Sequence, residues 1–246
     1  MLHSPLLLKY PGIRSGMSTR QGGVSPEPLG MNLSFRVGDV EANVSENRRR
    51  FFEMLGCSGK KVAIPGQCHS DRVQIVTKPG NYDSTDGLLT TALNLTTVVT
   101  IADCLAVILY DPIHRVTGAV HAGWKGTARS IVAKTVDLMK REFGSDAADL
   151  IAYLSPSARV CCYEVGAEVA KMFPVNVVEQ RGSRMFLDLM KANADQLGAS
   201  GLKHDHIDRS DWCTICNPAL FHSYRRDGEK SGRMMAAACL VPEGGR

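Results

Sequence analysis

The chain has 246 residues, enough to bury a substantial core, and its 44% hydrophobic and 22% charged residues form an ordinary globular mixture. A formal charge of +4 is too small an excess to argue for nucleic acid, and the Leu6 to Leu8 triplet before Lys9 and Pro11 is too short for a signal core or a membrane span. A cytoplasmic protein with neither nucleic acid nor membrane as partner is therefore expected, with most of its eight scattered cysteines reduced rather than joined in a disulfide framework.

In chain order, the segment RQGGVSPEPLG, residues 20–30, reads as a turn-rich loop from its Gly and Pro punctuation. Asp39 is expected to cap a helix that runs to Gly56 and gathers Val44, Phe51, Phe52 and Leu55 on one side. Arg48 sits on that stripe, four after Val44 and four before Phe52, where a guanidinium either snorkels to water or points into a site; base rate favours snorkelling. Apolar runs at 62–64, 73–76, 93–101, 105–110 and 116–120 read as strands, and Asp111-Pro112-Ile113-His114 turns the last two into a hairpin. Helical spacing then predicts a helix over 127–143 closed by Gly144, another over 164–173 stopped by Pro174, and a third over 187–197 stopped by Gly198. Hairpins mixed with helices, without an internal repeat or a linker, imply an α+β fold of mixed β-sheets flanked by helices, one domain over residues 1–246.

Three residues stand at predicted strand ends or beside them: His69 in GQCHSDRV, Cys104 in IADCLAV and His121 in GAVHAGWKGT. Cys104 and His121 flank the hairpin, so residues 17 apart in sequence can meet at its open end. Two imidazoles and a thiolate form a good zinc set, and their wide spacing suits a catalytic metal with one open position better than a zinc finger. Against this, a Cys in apolar sequence is ordinarily a small buried hydrophobe and a His after a strand a satisfied polar group. The neighbourhood tips the balance. Gly123 to Thr127 follows His121 and permits close backbone approach, while Asp86 and Asp103 are placed to hold imidazoles in one tautomer. In the tail, Tyr224 with Arg225 and Arg226 has the makings of a ring-stacking and phosphate-gripping group, though such a run is more often solvated surface.

These pieces resemble the laccase-domain proteins of the YfiH type, a family that carries both polyphenol oxidase and purine nucleoside phosphorylase names. The matching segments are STRQGGVS, MNLSFRVGD, ENRRR, QCHSDRV, DGLLT, ADCLAVILYD, AVHAGWKGT, CCYEVG, the Cys213-Thr214 pair and SYRRDG, in the family's order over nearly the whole chain. The resemblance implies that His69, Cys104 and His121 bind zinc, with copper as the other metal the family's older name suggests. It implies catalytic roles for Arg48, Cys104 and His121, with Arg48 near the substrate, and substrate binding by Arg48, Tyr224 and Arg225. The implied reactions are phosphorolysis of adenosine, inosine and S-methyl-5'-thioadenosine, and adenosine deamination. The partners would be purine nucleosides and phosphate. One segment departs from the family pattern: Arg159 and Val160 replace a Gly-Pro pair before CCYEVG, which puts the substrate-side loop in question.

Other classes compete. A metal-free cysteine hydrolase would use Cys104 as nucleophile and His121 as base. Trp212-Cys213-Thr214-Ile215-Cys216 superficially resembles a thiol redox motif but lacks the preceding apolar strand. A copper-dependent polyphenol oxidase needs more histidines than the seven in the chain provide in any clustered pattern. A non-enzymatic binding protein would release no free base from nucleosides.

Overall fold

The apolar runs on either side of Asp111 pair as the hairpin signal predicts, and the rest of the molecule is built outward from them. In the computed structural model, which describes residues 1–243, the elements are β1 (Ile13–Met17), α1 (Glu41–Leu55), β2 (Val62–Gly66), β3 (Val73–Ile75), β4 (Gly80–Asp83), β5 (Gly87–Thr90), β6 (Thr96–Ile101), β7 (Leu105–Asp111) and β8 (Val116–Ala122). There follow α2 (Trp124–Ala128), α3 (Ile131–Phe143), β9 (Ile151–Leu154), β10 (Glu164–Val165), α4 (Ala167–Ala170), β11 (Val178–Arg181), β12 (Arg184–Leu187), α5 (Leu189–Ala199), β13 (Ile207–Arg209), α6 (Tyr224–Asp227) and β14 (Met234–Leu240). Among the described residues no helix is long and apolar enough to cross a membrane.

Two large mixed sheets carry the fold, one ordered β1-β14-β6-β2-β4 and the other β13-β9-β7-β8-β5-β3, with a small third sheet of β10-β12-β11. The large sheets face one another. Met17, Val99, Ile101 and Ala236 from the first meet Ala106 and Ala119 from the second, and Ile13 and Leu240 meet Ile108 and Tyr153. Strand alternation sends the other side chains outward. Val98, Met235 and Ala237 pack under Phe51, Phe52 and Leu55 of α1, while Leu105, Val107, Leu109, Val116 and Val120 pack under α3 and α5. This α+β layering of mixed sheets between helices is the expected fold class.

Several boundaries differ from expectation for identifiable reasons. Asp39 does not cap α1. Its carboxylate accepts from Ser25 Oγ (2.7 Å), Asn32 Nδ2 (2.9 Å) and Val40 N (2.8 Å), and the helix begins at Glu41. The helix expected over 127–143 is two helices, because Ser130 takes a left-handed conformation (φ 60°) that ends α2 and starts α3 in a new direction. The helix expected over 164–173 keeps only Ala167–Ala170, since Glu164 and Val165 pair with Phe186 and Met185 as a strand. Leu187 likewise belongs to β12, and Asp188 caps α5 by accepting from Lys191 N at 2.9 Å.

Candidate metal centre

The chain crosses from one large sheet to the other between Ile101 and Leu105, and that crossing contains Asp103 and Cys104. Asp103 has φ 84°, a region that L residues rarely occupy. The turn after β2 repeats the device, with His69 at φ 60°. Strained non-glycine backbone persists where surrounding contacts over-determine it, and each of these turns is held by a buried carboxylate.

Asp86, fully buried just before β5, holds the first. It accepts from the backbone N–H groups of Cys68 (3.2 Å), His69 (3.0 Å) and Ser70 (2.7 Å) and from Ser70 Oγ (2.7 Å). Its Oδ1 also lies 2.8 Å from Nδ1 of His121. One acid thus fixes the loop carrying one imidazole and the orientation of the other. Burial works to raise its carboxyl, but His121 and Ser70 outweigh that and hold it well below the usual carboxylate range.

Asp103 holds the second turn, and here the sequence reading is corrected. Its carboxylate reaches neither imidazole; it accepts from Thr214 Oγ1 (2.7 Å), Ser223 Oγ (3.0 Å) and Arg225 N (2.7 Å), tying two distant loops to the sheet crossing.

With these supports in place, His69, Cys104 and His121 converge. Their donor atoms all lie within 4.8 Å of one another, and the two imidazoles meet edge to face with centroids 4.9 Å apart. Burial would push the Cys104 thiol up, yet His121 and His69 beside it bring it down to about 6. Burial would likewise lower His121, but the Cys104 sulfur and Asp86 hold it up to about 9. A thiolate facing two imidazoles is a soft, anionic donor set suited to a divalent cation. Gly123 makes room for it: a Cβ there would stand 3.0 Å from Cys104 Sγ and 3.1 Å from His69 Cδ2.

The three side chains open into a cleft of about 490 Å³ whose walls include Arg36, Gln67, Tyr224 and Arg233. Gln67 is locked to β6, accepting from Thr100 N (2.8 Å) and donating to Thr100 O (2.9 Å). Arg36 and Arg233 were not singled out by sequence reasoning; each sits in irregular chain with no periodicity to mark it.

Of the residues expected at the substrate, Tyr224 lines the cleft. Arg225 turns away, donating from Nη1 to Glu164 O (2.7 Å) over the ring of Tyr163. Arg48 neither snorkels freely nor lines this cleft. It borders a neighbouring pocket with Phe35 and Phe52, donates Nε to Leu33 O (2.9 Å) and stacks 4.4 Å from the Phe35 ring centroid. Burial lowers its guanidinium to about 10. Because Ser34, Arg36 and Val37 line the metal cleft while Phe35 lines the Arg48 pocket, Arg48 holds the wall of the cleft from behind.

None of the eight cysteines is bridged to another. Cys213 and Cys216, weighed in sequence as an isolated redox pair, instead share their position with Cys161 and Cys162.

Comparison with known proteins matches residues 14–241 to the family described as multi-copper polyphenol oxidoreductase laccase. The Bacillus subtilis protein named purine nucleoside phosphorylase YlmD is 33% identical over 240 residues, covering 90% of this chain and 86% of the relative. An Aquifex aeolicus protein named purine nucleoside phosphorylase is 36% identical over 212 residues, covering 86% of this chain and 94% of the relative. The crystal structure of YlmD from Geobacillus stearothermophilus superposes with a TM-score of 0.91 at 30% identity, covering 97% of this chain and 94% of that one.

Proposed function

The chain belongs to the multi-copper polyphenol oxidoreductase laccase family, and from that premise we propose that it is a zinc-dependent purine nucleoside phosphorylase of the cytoplasm. In this reading it acts on adenosine, inosine and S-methyl-5'-thioadenosine and also deaminates adenosine. The observation that carries the reading is the convergence of His69, Cys104 and His121 in a cleft whose wall bears Arg36 and Arg233. The names of its relatives point the same way.

Zinc held by those three donors would supply a Lewis-acidic charge beside the substrate. The remaining work falls to the chain. Arg36 and Arg233 offer positive charge to phosphate, and Arg233 is steadied by donating to Ser231 O (2.7 Å) and Gly232 O (3.0 Å). Tyr224, 49% exposed with Arg233 above its ring, presents an aromatic edge to a purine. Asp86 keeps the proton of His121 on Nδ1 and so aims the other nitrogen at Cys104. Arg48 acts as a positioning residue through Leu33 and Phe35, and Arg225 does so through Glu164.

Two metal-capable groups are found among the described residues, and together they contain only two imidazoles. That is too few for electron relay through several coppers, which favours zinc and phosphorolysis over phenol oxidation. The thiolate character of Cys104 beside His121 also supports a metal-free cysteine hydrolase as the second reading.

One experiment separates these. Zinc-loaded protein is incubated with each of the three nucleosides, with and without phosphate, and the products are identified. Free base and ribose 1-phosphate (5-methylthioribose 1-phosphate from S-methyl-5'-thioadenosine) formed only with phosphate are expected, and inosine with ammonia from adenosine and water whether or not phosphate is present. The His69→Ala, Cys104→Ala and His121→Ala variants should each lose metal and at least about 100-fold in turnover, since losing a ligand costs more than losing the partner behind it. Full turnover in metal-stripped protein would overturn the zinc reading in favour of the thiol.

A further inference from the structure

Away from the cleft floor, two loops bring four more sulfurs together. Cys161 and Cys162 lie beyond β9, and Cys213 and Cys216 lie beyond β13. The parallel pairing of β9 with β13 sends both loops off the same end of the sheet. They then run side by side: Ser157 bridges Cys213, Thr214 N donates to Ser157 O (3.0 Å), and Arg159 donates to Ser210 O (2.6 Å). The four Sγ atoms lie within 4.8 Å of one another, with Cys216 3.6 Å from Cys161 and 3.0 Å from Cys162. Sulfurs around a zinc with Zn–S of about 2.3 Å stand about 3.8 Å apart, so the 3.6 Å spacing sits at that tetrahedral edge and the 3.0 Å spacing falls short of it.

The local backbone supports the same reading. Cys213-Thr214-Ile215-Cys216 has the two-residue spacing of a zinc knuckle. Cys161 and Cys162 are adjacent rather than spaced. The turn closed by Cys162 N on Arg159 O (2.9 Å) brings both sulfurs to the same side. Arg181, donating Nη1 to Cys161 O (3.2 Å), supplies a cation against the negative charge that four thiolates around a divalent ion would retain.

We propose that Cys161, Cys162, Cys213 and Cys216 form a second, structural metal site that binds one zinc ion and staples the two loops together. Binding converts four thiols to thiolates, releases their protons to solvent and moves no electrons. With all four positions filled by protein, the site has no place for substrate. Its effect on the cleft is mechanical. Thr214, next to Cys213, is bonded to Asp103, and Tyr163, next to Cys162, lies under Arg225, which is itself tied to Asp103. The staple therefore sets the loops that hold the turn bearing Cys104.

The test is metal counting on the full chain, purified under reducing conditions without chelator. The unaltered protein is expected to carry close to two zinc ions, and Cys161→Ser/Cys216→Ser and His69→Ala/His121→Ala to carry one each. A second measurement needs no variant. Cys161 and Cys216 are exposed, yet they should resist alkylation until a chelator is added, and cobalt substitution should give the intense visible bands of a tetrathiolate. The proposal is overturned if the unaltered protein binds one metal that only the histidine variant loses while Cys161 and Cys216 alkylate freely. Disulfides among the four in metal-free native protein would overturn it as well. A single metal lost only in the cysteine variant would instead sink the zinc reading of the cleft and leave this site standing.

Discussion

The two sulfur-bearing clusters are built on opposite plans. His69, Cys104 and His121 sit at the ends of strands in the two large sheets, backed by one fully buried acid, with His121 itself 3% exposed. Cys161, Cys162, Cys213 and Cys216 sit wholly in loops, two of them exposed, with each other as support. The first arrangement exists because the sheets force it, and a metal there is free to do chemistry. The second depends on whatever joins its sulfurs, and a metal there would shape the chain. Asp103 is the mechanical link between them, since Thr214 hangs from the same carboxylate that fixes the Cys104 turn.

Replacing the two acids breaks the comparison most severely. Asp86→Ala leaves His121 without its partner and strips the 68–70 loop of its acceptor. We expect a loss of about 10- to 100-fold in metal affinity at the first cluster, with the metal count of the second unchanged. Asp103→Ala instead strands Thr214, Ser223 and Arg225 N, so it should destabilise the fold by about 2 kcal/mol and loosen both clusters. Urea denaturation and metal titration on the two variants check this, and identical behaviour would erase the distinction. Gly123→Ala is a finer probe. Its Cβ would press on Cys104 Sγ and His69 Cδ2, costing about 1 kcal/mol or somewhat more by overpacking and weakening only the first cluster, which isothermal titration with zinc can measure.

Mild acid, near pH 6, gives the smallest effect and tests whether stability is separable from either metal. His222 is 1% exposed with neither ring nitrogen hydrogen-bonded. Burial, then Arg20 and Arg233, lower it from 6.5 to about 3. Between those values the unfolded chain binds one more proton than the folded chain, so stability falls as pH drops below 6.5. The loss should be under about 1 kcal/mol at pH 6 and steepen to about 1.4 kcal/mol per pH unit below that. His222→Gln should flatten this slope in urea melts, equally with and without chelator.

What the sequence revealed and what it hid follow from range. The 105–122 hairpin was legible because both strands and their turn are contiguous, and Cys104 and His121 were legible as its open end. His69 joined them through the family resemblance and through its position after an apolar run. The four-cysteine cluster was hidden because its halves are some 50 residues apart and meet only through the β9–β13 pairing, in which β13 has just three residues. Strand β14 was also hidden. Met234–Leu240 is mostly Met and Ala, residues with little β preference, and it is a strand because β1 and β6 pair with it on both sides. The break at Ser130 escaped notice because the apolar spacing runs straight through it.

The hairpin register has a consequence of its own. Ala106 pairs with His121 and Leu105 with Ala122, which turns the imidazole toward the space between the large sheets. A slip of one residue, or a single deletion in the 111–115 corner, would rotate His121 onto the opposite face beneath α3 and bring Ala122 round in its stead. Such a molecule would still collapse into a plausible shape while being chemically mute, so the length of that corner is under as strict a constraint as any ligand.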